Sequence, residues 1–456
     1  MSGTTKMAAM RAFKHAGFLA GLLVLLILSA ARPLHATEIQ RVVSPGGIEA
    51  WLVEEHTLPL VSMHFAFRGG AAQDPAGREG LANMVTGLLD EGAGDLDSEA
   101  FQARLEDLAI RLSFDAGRDA LYGELKTLSR HRDEAFDLLR LALTAPRFDA
   151  APVERIRAQI LTNLRFEQED PGDVAGKAWF EIAFGAHPYA RPVNGNPQSV
   201  AAIAPEDLRR YVSRVFARDK LKIAVVGDID AKTLGRKLDE IFGALPAASD
   251  LDEVAKTDVA EGPVRRIIDM DIPQTVIRFG QQGIARKDPD FVPAYVVNYI
   301  LGGGGFSSRL YEEVREKRGL AYSVFTYLYP LDSAALLLGG VATQNDRAAE
   351  SLATIEAELK RLAEEGPSAE ELEAAKSYLK GSYALRFDTS DKIAGQLVAI
   401  QLEELGIDYI NTRNDLIDAV TIDDVKRVAR RLIAPEKLIV TVVGRPKGLE
   451  EIRPDG

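Results

Sequence analysis

Short runs of β-branched and apolar residues, Glu49–Glu54 and Leu60–Arg68, predict two strands of a meander. Helical spacing of apolar positions follows at residues 77–89 and 98–109. Residues 111–126 read as a hairpin, and residues 132–144 and 152–169 as two further helices. Leu221–Gly227, LKIAVVG, is apolar almost throughout and predicts a strand buried on both faces. Near the other end, residues 356–365 (EAELKRLAEE) predict an amphipathic helix with a solvated face.

One stretch stands apart, GGGGFSSRLYEEVREKRGLAY over residues 302–322. Gly302, Gly303, Gly304 and Gly305 cannot hold a helix or strand cheaply and predict a mobile loop that a backbone can approach closely. Ser307 or Ser308 is placed to cap a helix over residues 309–317, with Leu310 and Val314 on one face. Gly319 is a suitable stop, and residues 321–329 predict an aromatic-rich strand. Arg315 then lies near the helix end and Tyr322 at the strand start. A cation and a phenol at such a corner can both point at a peptide carbonyl. They can equally be a surface arginine and a half-buried tyrosine.

The chain repeats itself. Residues 205–227 align without gaps on residues 422–444, with Asp207/Asp424, Arg210/Arg427, Arg214/Arg431, Ala217/Ala434, Lys220/Lys437, Leu221/Leu438, Val225/Val442, Val226/Val443 and Gly227/Gly444 identical. A spacing this long means duplicated domains and not a solenoid. Residues 247–262 are small and acidic with no apolar period, so they read as a linker between domains at 37–246 and 263–456.

At 456 residues with 46% hydrophobic and 27% charged content, the chain has ample material for large cores. A net charge of −13 argues against a general nucleic-acid surface. Lys6, Arg11 and Lys14 precede an apolar run at residues 16–31 with small residues after it, the pattern of a signal peptide over residues 1–36. An uncleaved anchor is the competing reading. Cleavage removes four cations and no acid, taking the charge from −13 to −17. Cysteine is absent, which excludes disulfides and thiolate zinc sites and suits an exported compartment.

SRLYEEVREKRGLAYS resembles the C-terminal domain of the insulinase/pitrilysin family of zinc peptidases, which carry SRL-[FY]-x-x-[VI]-R-E-x-x-GLAY there. The resemblance spans both domains, residues 39–446. It implies an α+β fold of two homologous α/β sandwiches, each an antiparallel-rich sheet with helices packed on it. It also implies that Arg315 and Tyr322 bind substrate and help stabilise the scissile carbonyl. The family's first domain carries H-x-x-E-H, two zinc-binding histidines and a general base on one helix face. Here the flank RGGAAQDPAGREGLA matches, but the three motif positions fall on Asn83, Thr86 and Gly87. The family's third ligand, a glutamate, aligns with Asn163.

No replacement is visible in the sequence. Beyond the leader the histidines are His56, His64, His131 and His187, no two of them three to five residues apart. Asp90 and Glu91 are adjacent and read as solvated acids at a helix end. There is no Walker loop and no GxSxG elbow. The expectation is a chain with no metal or other cofactor of its own: the exported, periplasmic, non-catalytic subunit of a heterodimeric zinc endopeptidase. Zinc would sit in a homologous H-x-x-E-H partner, substrates would be peptides or unfolded segments, and nucleic acid and membrane would not be partners. The alternatives are a stand-alone peptide-binding or structural protein, and an active metallopeptidase with an unrecognised metal site.

Overall fold

Two mixed sheets carry the architecture of the computed structural model, which describes residues 38–453. The expected leader, residues 1–36, lies outside the described residues. No helix among the described residues is long and apolar enough to cross a membrane. From Gln40 onward the chain clusters as one compact unit.

The first sheet has the order β1-β2-β6-β3-β5-β4, with β1 Gln40–Val43, β2 Glu49–Glu54, β3 Leu60–Arg68, β4 Arg111–Ala116, β5 Ala120–Leu128 and β6 Leu221–Gly227. The second has the order β7-β11-β8-β10-β9, with β7 Val264–Ile268, β8 Gln274–Gln282, β9 Ala321–Pro330, β10 Ala335–Gln344 and β11 Ile439–Val443. β6 lies parallel to β2 and antiparallel to β3, and β11 lies parallel to β7 and antiparallel to β8. The duplication seen in sequence is therefore a duplication of topology. It also corrects the expected meander, because β6 inserts between β2 and β3. A strand apolar on both faces belongs in the middle of a sheet. Each inserted strand ends at a glycine with positive φ, Gly227 at 140° and Gly444 at 136°. A Cβ on Gly227 would lie 2.1 Å from the Leu60 carbonyl, which explains the shared Val-Val-Gly.

Alternation along β3 sends Met63, Phe65 and Phe67 into the first core, where Phe65 packs edge-on against Phe242 and Phe67 stacks on Phe216. Ser62 and His64 point to the other face. That face is covered by the helix Ser390–Leu402, which comes from the second half of the chain and packs on β3 and β6. The reverse also holds. The helix Pro171–Phe184, from the first half, packs on β8 and β11 of the second sheet. Trp179 is fully buried there and donates Nε1–H to the Ile439 carbonyl at 3.0 Å. Thr441 Oγ1 donates to the Ala175 carbonyl at 2.8 Å, and Gln401 Nε2 donates to the Ile223 carbonyl at 2.9 Å. Each half thus lends the other a helix.

The helix expected over residues 77–89 is shorter, Leu81–Thr86. Gly77 and Gly80 adopt positive φ, so the chain cannot turn helical before Leu81. The buried Asp74 carboxylate accepts from the N–H groups of Gly80, Leu81 and Ala82 at 2.9–3.1 Å and starts the helix instead. Glu91 also departs from expectation. It is mostly buried, accepts from Ser98 Oγ at 2.5 Å and pairs with Arg155.

Candidate functional site

The helix Phe291–Asn298 runs on into a π-helical turn, Tyr299–Gly303, closed by Gly304 N–H to the Tyr299 carbonyl at 2.8 Å. Gly302 is buried against β9, where a Cβ would come within 2.6 Å of Thr326 Oγ1. The mobile loop expected of the glycine run is instead helical, with Gly302 and Gly303 in the π turn and Gly305 opening a 3-10 turn, because Gly302 packs closely on the strand that follows it. Gly303 is packed against Asn298, and only Gly305, at φ 56°, opens onto free space. The expected serine cap does not form. Ser307 and Ser308 donate their hydroxyls back to the carbonyls of Gly304 and Gly305, at 3.1 and 2.7 Å. The next helix widens into a π turn over Tyr311–Glu316, with Lys317 N–H on the Glu312 carbonyl at 2.9 Å. Gly319, at φ 60°, ends it by donating to the Arg315 carbonyl.

That turn places Arg315 among three rings. Its guanidinium carbon lies 4.6 Å from the Tyr322 ring centre, 4.7 Å from Tyr311 and 5.7 Å from Phe306. Stacking on aromatic faces steadies a planar cation without consuming its N–H donors. Tyr322 is 82% exposed, not half-buried, and its hydroxyl has no protein partner among the described residues. The structure brings the two predicted residues into contact, leaves the Tyr322 hydroxyl turned to solvent, and sets Arg315 Nε 3.8 Å from the Glu316 carboxylate.

Tyr322 begins β9, the outer strand of its sheet, hydrogen-bonded only to β10. Phe325 and Tyr327 continue the exposed row and stack on each other at 6.1 Å. A free edge beside an aromatic row offers backbone donors, acceptors and apolar area to an extended peptide.

The zinc-motif positions tell the opposite story. Asn83 and Thr86 lie on the helix Leu81–Thr86, Gly87 follows it, and Asn163 is exposed on the helix Ala150–Glu169. Gly87 sits beside Ile156, so the two helices do meet as the motif requires. The donors do not fit zinc: two neutral amides, a hydroxyl already donated to the Asn83 carbonyl at 2.9 Å, and no side chain at all. Folding does build one group of metal-binding residue types that no spacing could reveal. His64 of β3 meets Glu124 of β5 and Asp391 of the 390–402 helix. Its Nε2 is 3.2 Å from Asp391, and its Nδ1 is 3.6 Å from Glu124. The two nitrogens face different acids, so one ion could use only one of them. Such a ring is held as a hydrogen-bonded clasp between the halves. Burial works to raise the Asp391 carboxyl, but hydrogen bonds from His64 and Ser62 leave it below its ordinary range.

Residues 202–379 match the family described as Peptidase M16 inactive domain. The non-peptidase homolog YmxG of Helicobacter pylori is 29% identical over 337 residues, covering 74% of this chain and 78% of that protein. An uncharacterized zinc protease of Streptomyces coelicolor is 28% identical over 429 residues, covering 91% of each. Among solved structures, a peptidase M16 inactive domain from Pseudomonas fluorescens superposes with a TM-score of 0.84 at 27% identity, covering 92% of this chain and all of that one. A protease from Helicobacter pylori shares the fold at a TM-score of 0.80 and 17% identity, covering 90% of this chain and all of that one. Over most of its length the chain is similar to members of the insulinase/pitrilysin (M16) peptidase family, part of it matches that family's inactive domain, and it lacks the family's zinc motif.

Proposed function

We propose that this chain is the substrate-binding, non-catalytic subunit of an exported, periplasmic, two-chain zinc endopeptidase. The halves 37–246 and 263–456 are joined by residues 247–262, and residues 1–36 are removed on export. The observation that carries the reading is an asymmetry. The four zinc-motif positions hold no usable ligand, while Arg315 and Tyr322 stand in contact and the Tyr322 hydroxyl has no protein partner among the described residues. A partner with an intact H-x-x-E-H motif would hold the zinc and the general base. A peptide would lie against the partner's site and the β9 side of this chain. There the Tyr322 hydroxyl would donate to the oxygen that becomes negative as water adds to the scissile carbonyl. A donor that tightens as charge develops lowers the barrier more than it tightens ground-state binding. Arg315 would grip the substrate backbone in both states.

The test is reconstitution with an H-x-x-E-H homologue from the same host. Chelator-sensitive peptidase activity should appear only in the mixture. Tyr322→Phe keeps the ring over Arg315 and should cut kcat of the complex on the order of 100-fold, or roughly 3 kcal/mol, with assembly intact. Arg315→Ala should mainly raise KM. Intact mass of the natively produced subunit reports the cleaved leader. Chelator-sensitive hydrolysis by this chain alone, or unchanged kinetics in both variants, would sink the proposal.

A further inference from the structure

A cavity of about 300 Å³ opens beside the helices Phe291–Asn298, Ser390–Leu402 and Tyr409–Asp418. Neither Arg315 nor Tyr322 lines it. Its walls carry the rings of Tyr295, Tyr327, Tyr383 and Tyr409 among aliphatic side chains. Three arginines line it, Arg286, Arg386 and Arg413, against one carboxylate, Glu403.

Arg413 is only 6% exposed. Its guanidinium carbon lies 4.1 Å from the Tyr383 ring centre and 5.8 Å from Tyr295. Nη1 donates to the Leu379 carbonyl at 3.1 Å and to Asn414 Oδ1 at 3.2 Å. Among the described residues no acid pairs with it, and Nε and Nη2 have no protein acceptor. A buried cation without a counter-ion is costly, and aromatic faces offset only part of that cost. Arg286 repeats the theme. It stacks on Phe291 at 4.3 Å, donates to the Tyr409 hydroxyl at 3.0 Å and has no acid within ion-pair distance among the described residues. Asn298, buried on the same cavity, has an Oδ1 without a hydrogen-bond partner. The unmet demand is thus an anion for the guanidinium groups, inside walls sized for one large side chain.

We propose that this cavity binds an N-acyl amino acid carboxylate with an aromatic or large aliphatic side chain, supplied by the free C-terminus of a peptide or by a small acid of that form. The carboxylate is received by Arg413 and Arg286, and the side chain lies between the tyrosine rings. Glu403 on the same wall disfavours a doubly charged ligand such as a phosphate ester. The site goes beyond the subunit role, because its occupancy is read on this chain alone and needs no proteolysis.

Isothermal titration of the mature chain tests it, using N-acetyl-L-phenylalanine, its carboxamide, and a decapeptide ending in phenylalanine as free acid and as amide. Both acids should bind, and both amides should bind at least about tenfold more weakly, the loss of one charge-assisted contact. A decapeptide much tighter than the small acid identifies a peptide end as the ligand; equal affinity identifies the last residue alone. Arg413→Lys keeps the charge but not the fork, and Arg286→Gln removes an outer guanidinium. Each should weaken the acids by about tenfold or more with unchanged circular dichroism. Should Arg413→Lys fail to fold, Arg286→Gln and the acid–amide comparison decide. Acid and amide binding alike, neither binding, or folded variants matching the parent would overturn the proposal.

Discussion

Asp74 shows how much one side chain can organise. It is buried, and it accepts from three consecutive N–H groups at the start of the helix that carries the zinc-motif positions. Burial pushes its carboxyl up to about 8, against the pull of the three donors, with Glu79 adding to the rise. A folded-state value above the unfolded one means the folded chain holds the proton more tightly. The stabilisation is full below the ordinary aspartate range and is lost as pH rises through about 8. Unfolding free energy should therefore fall between pH 5 and pH 8 by up to about 1.4 kcal/mol per pH unit from this group, and Asp74→Asn should flatten that slope. Denaturant titrations across the range measure it. Asp74→Ala, which leaves the Gly80 and Ala82 N–H groups without an acceptor while Leu81 keeps the Arg78 carbonyl, should cost more than a single hydrogen bond, on the order of 3 kcal/mol. Legibility at this scale follows chain separation. Arg315 and Tyr322 are seven residues apart across a glycine stop, so their meeting can be read from sequence. His64 and Asp391 are 327 residues apart and meet only through the packing of the two halves.

Among the elements, strands read well because their apolar runs are short and bounded by glycine, and the hairpin of β4 and β5 lies where the alternation puts it. Strand order reads badly. Nothing local to β2 and β3 announces that a segment more than 150 residues later will lie between them. The π turns were also beyond reach. A serine before a helix reads as a cap, and only the fold shows both hydroxyls turned back onto glycine carbonyls. Least legible was the 171–184 helix, whose buried face belongs to the other sheet. Trp179 is its anchor, so Trp179→Ala should cost ~3–5 kcal/mol. Trp179→Phe fills most of the space but removes the N–H donor to the Ile439 carbonyl and should cost ~1 kcal/mol. Urea denaturation of the two variants separates packing from the hydrogen bond; equal and small effects would mean the helix contributes little to holding the halves together.

For the molecule, the exchange of helices changes what the halves are. A cluster around Trp179, Phe184 and Tyr189 of the first half packs with Leu336, Leu338 and Ile439 of the second. Residues 38–246 expressed alone would expose the faces of β3 and β6 that the 390–402 helix covers, together with Trp179. That fragment should bind a hydrophobic dye and melt without cooperativity, whereas the intact chain should give one calorimetric transition. A cooperative melt from the fragment would show that the exchanged helices are ornament.

The same exchange bears on why a half without metal ligands persists at all. Exposed Asn163 and partly exposed Asn83 can change with little consequence for folding, since no buried bond rests on their side chains. Deleting the half that carries them would strip its neighbour of a covering helix. The four motif positions can therefore vary one residue at a time in a gene of this design, while the scaffold that carries them can be given up only whole.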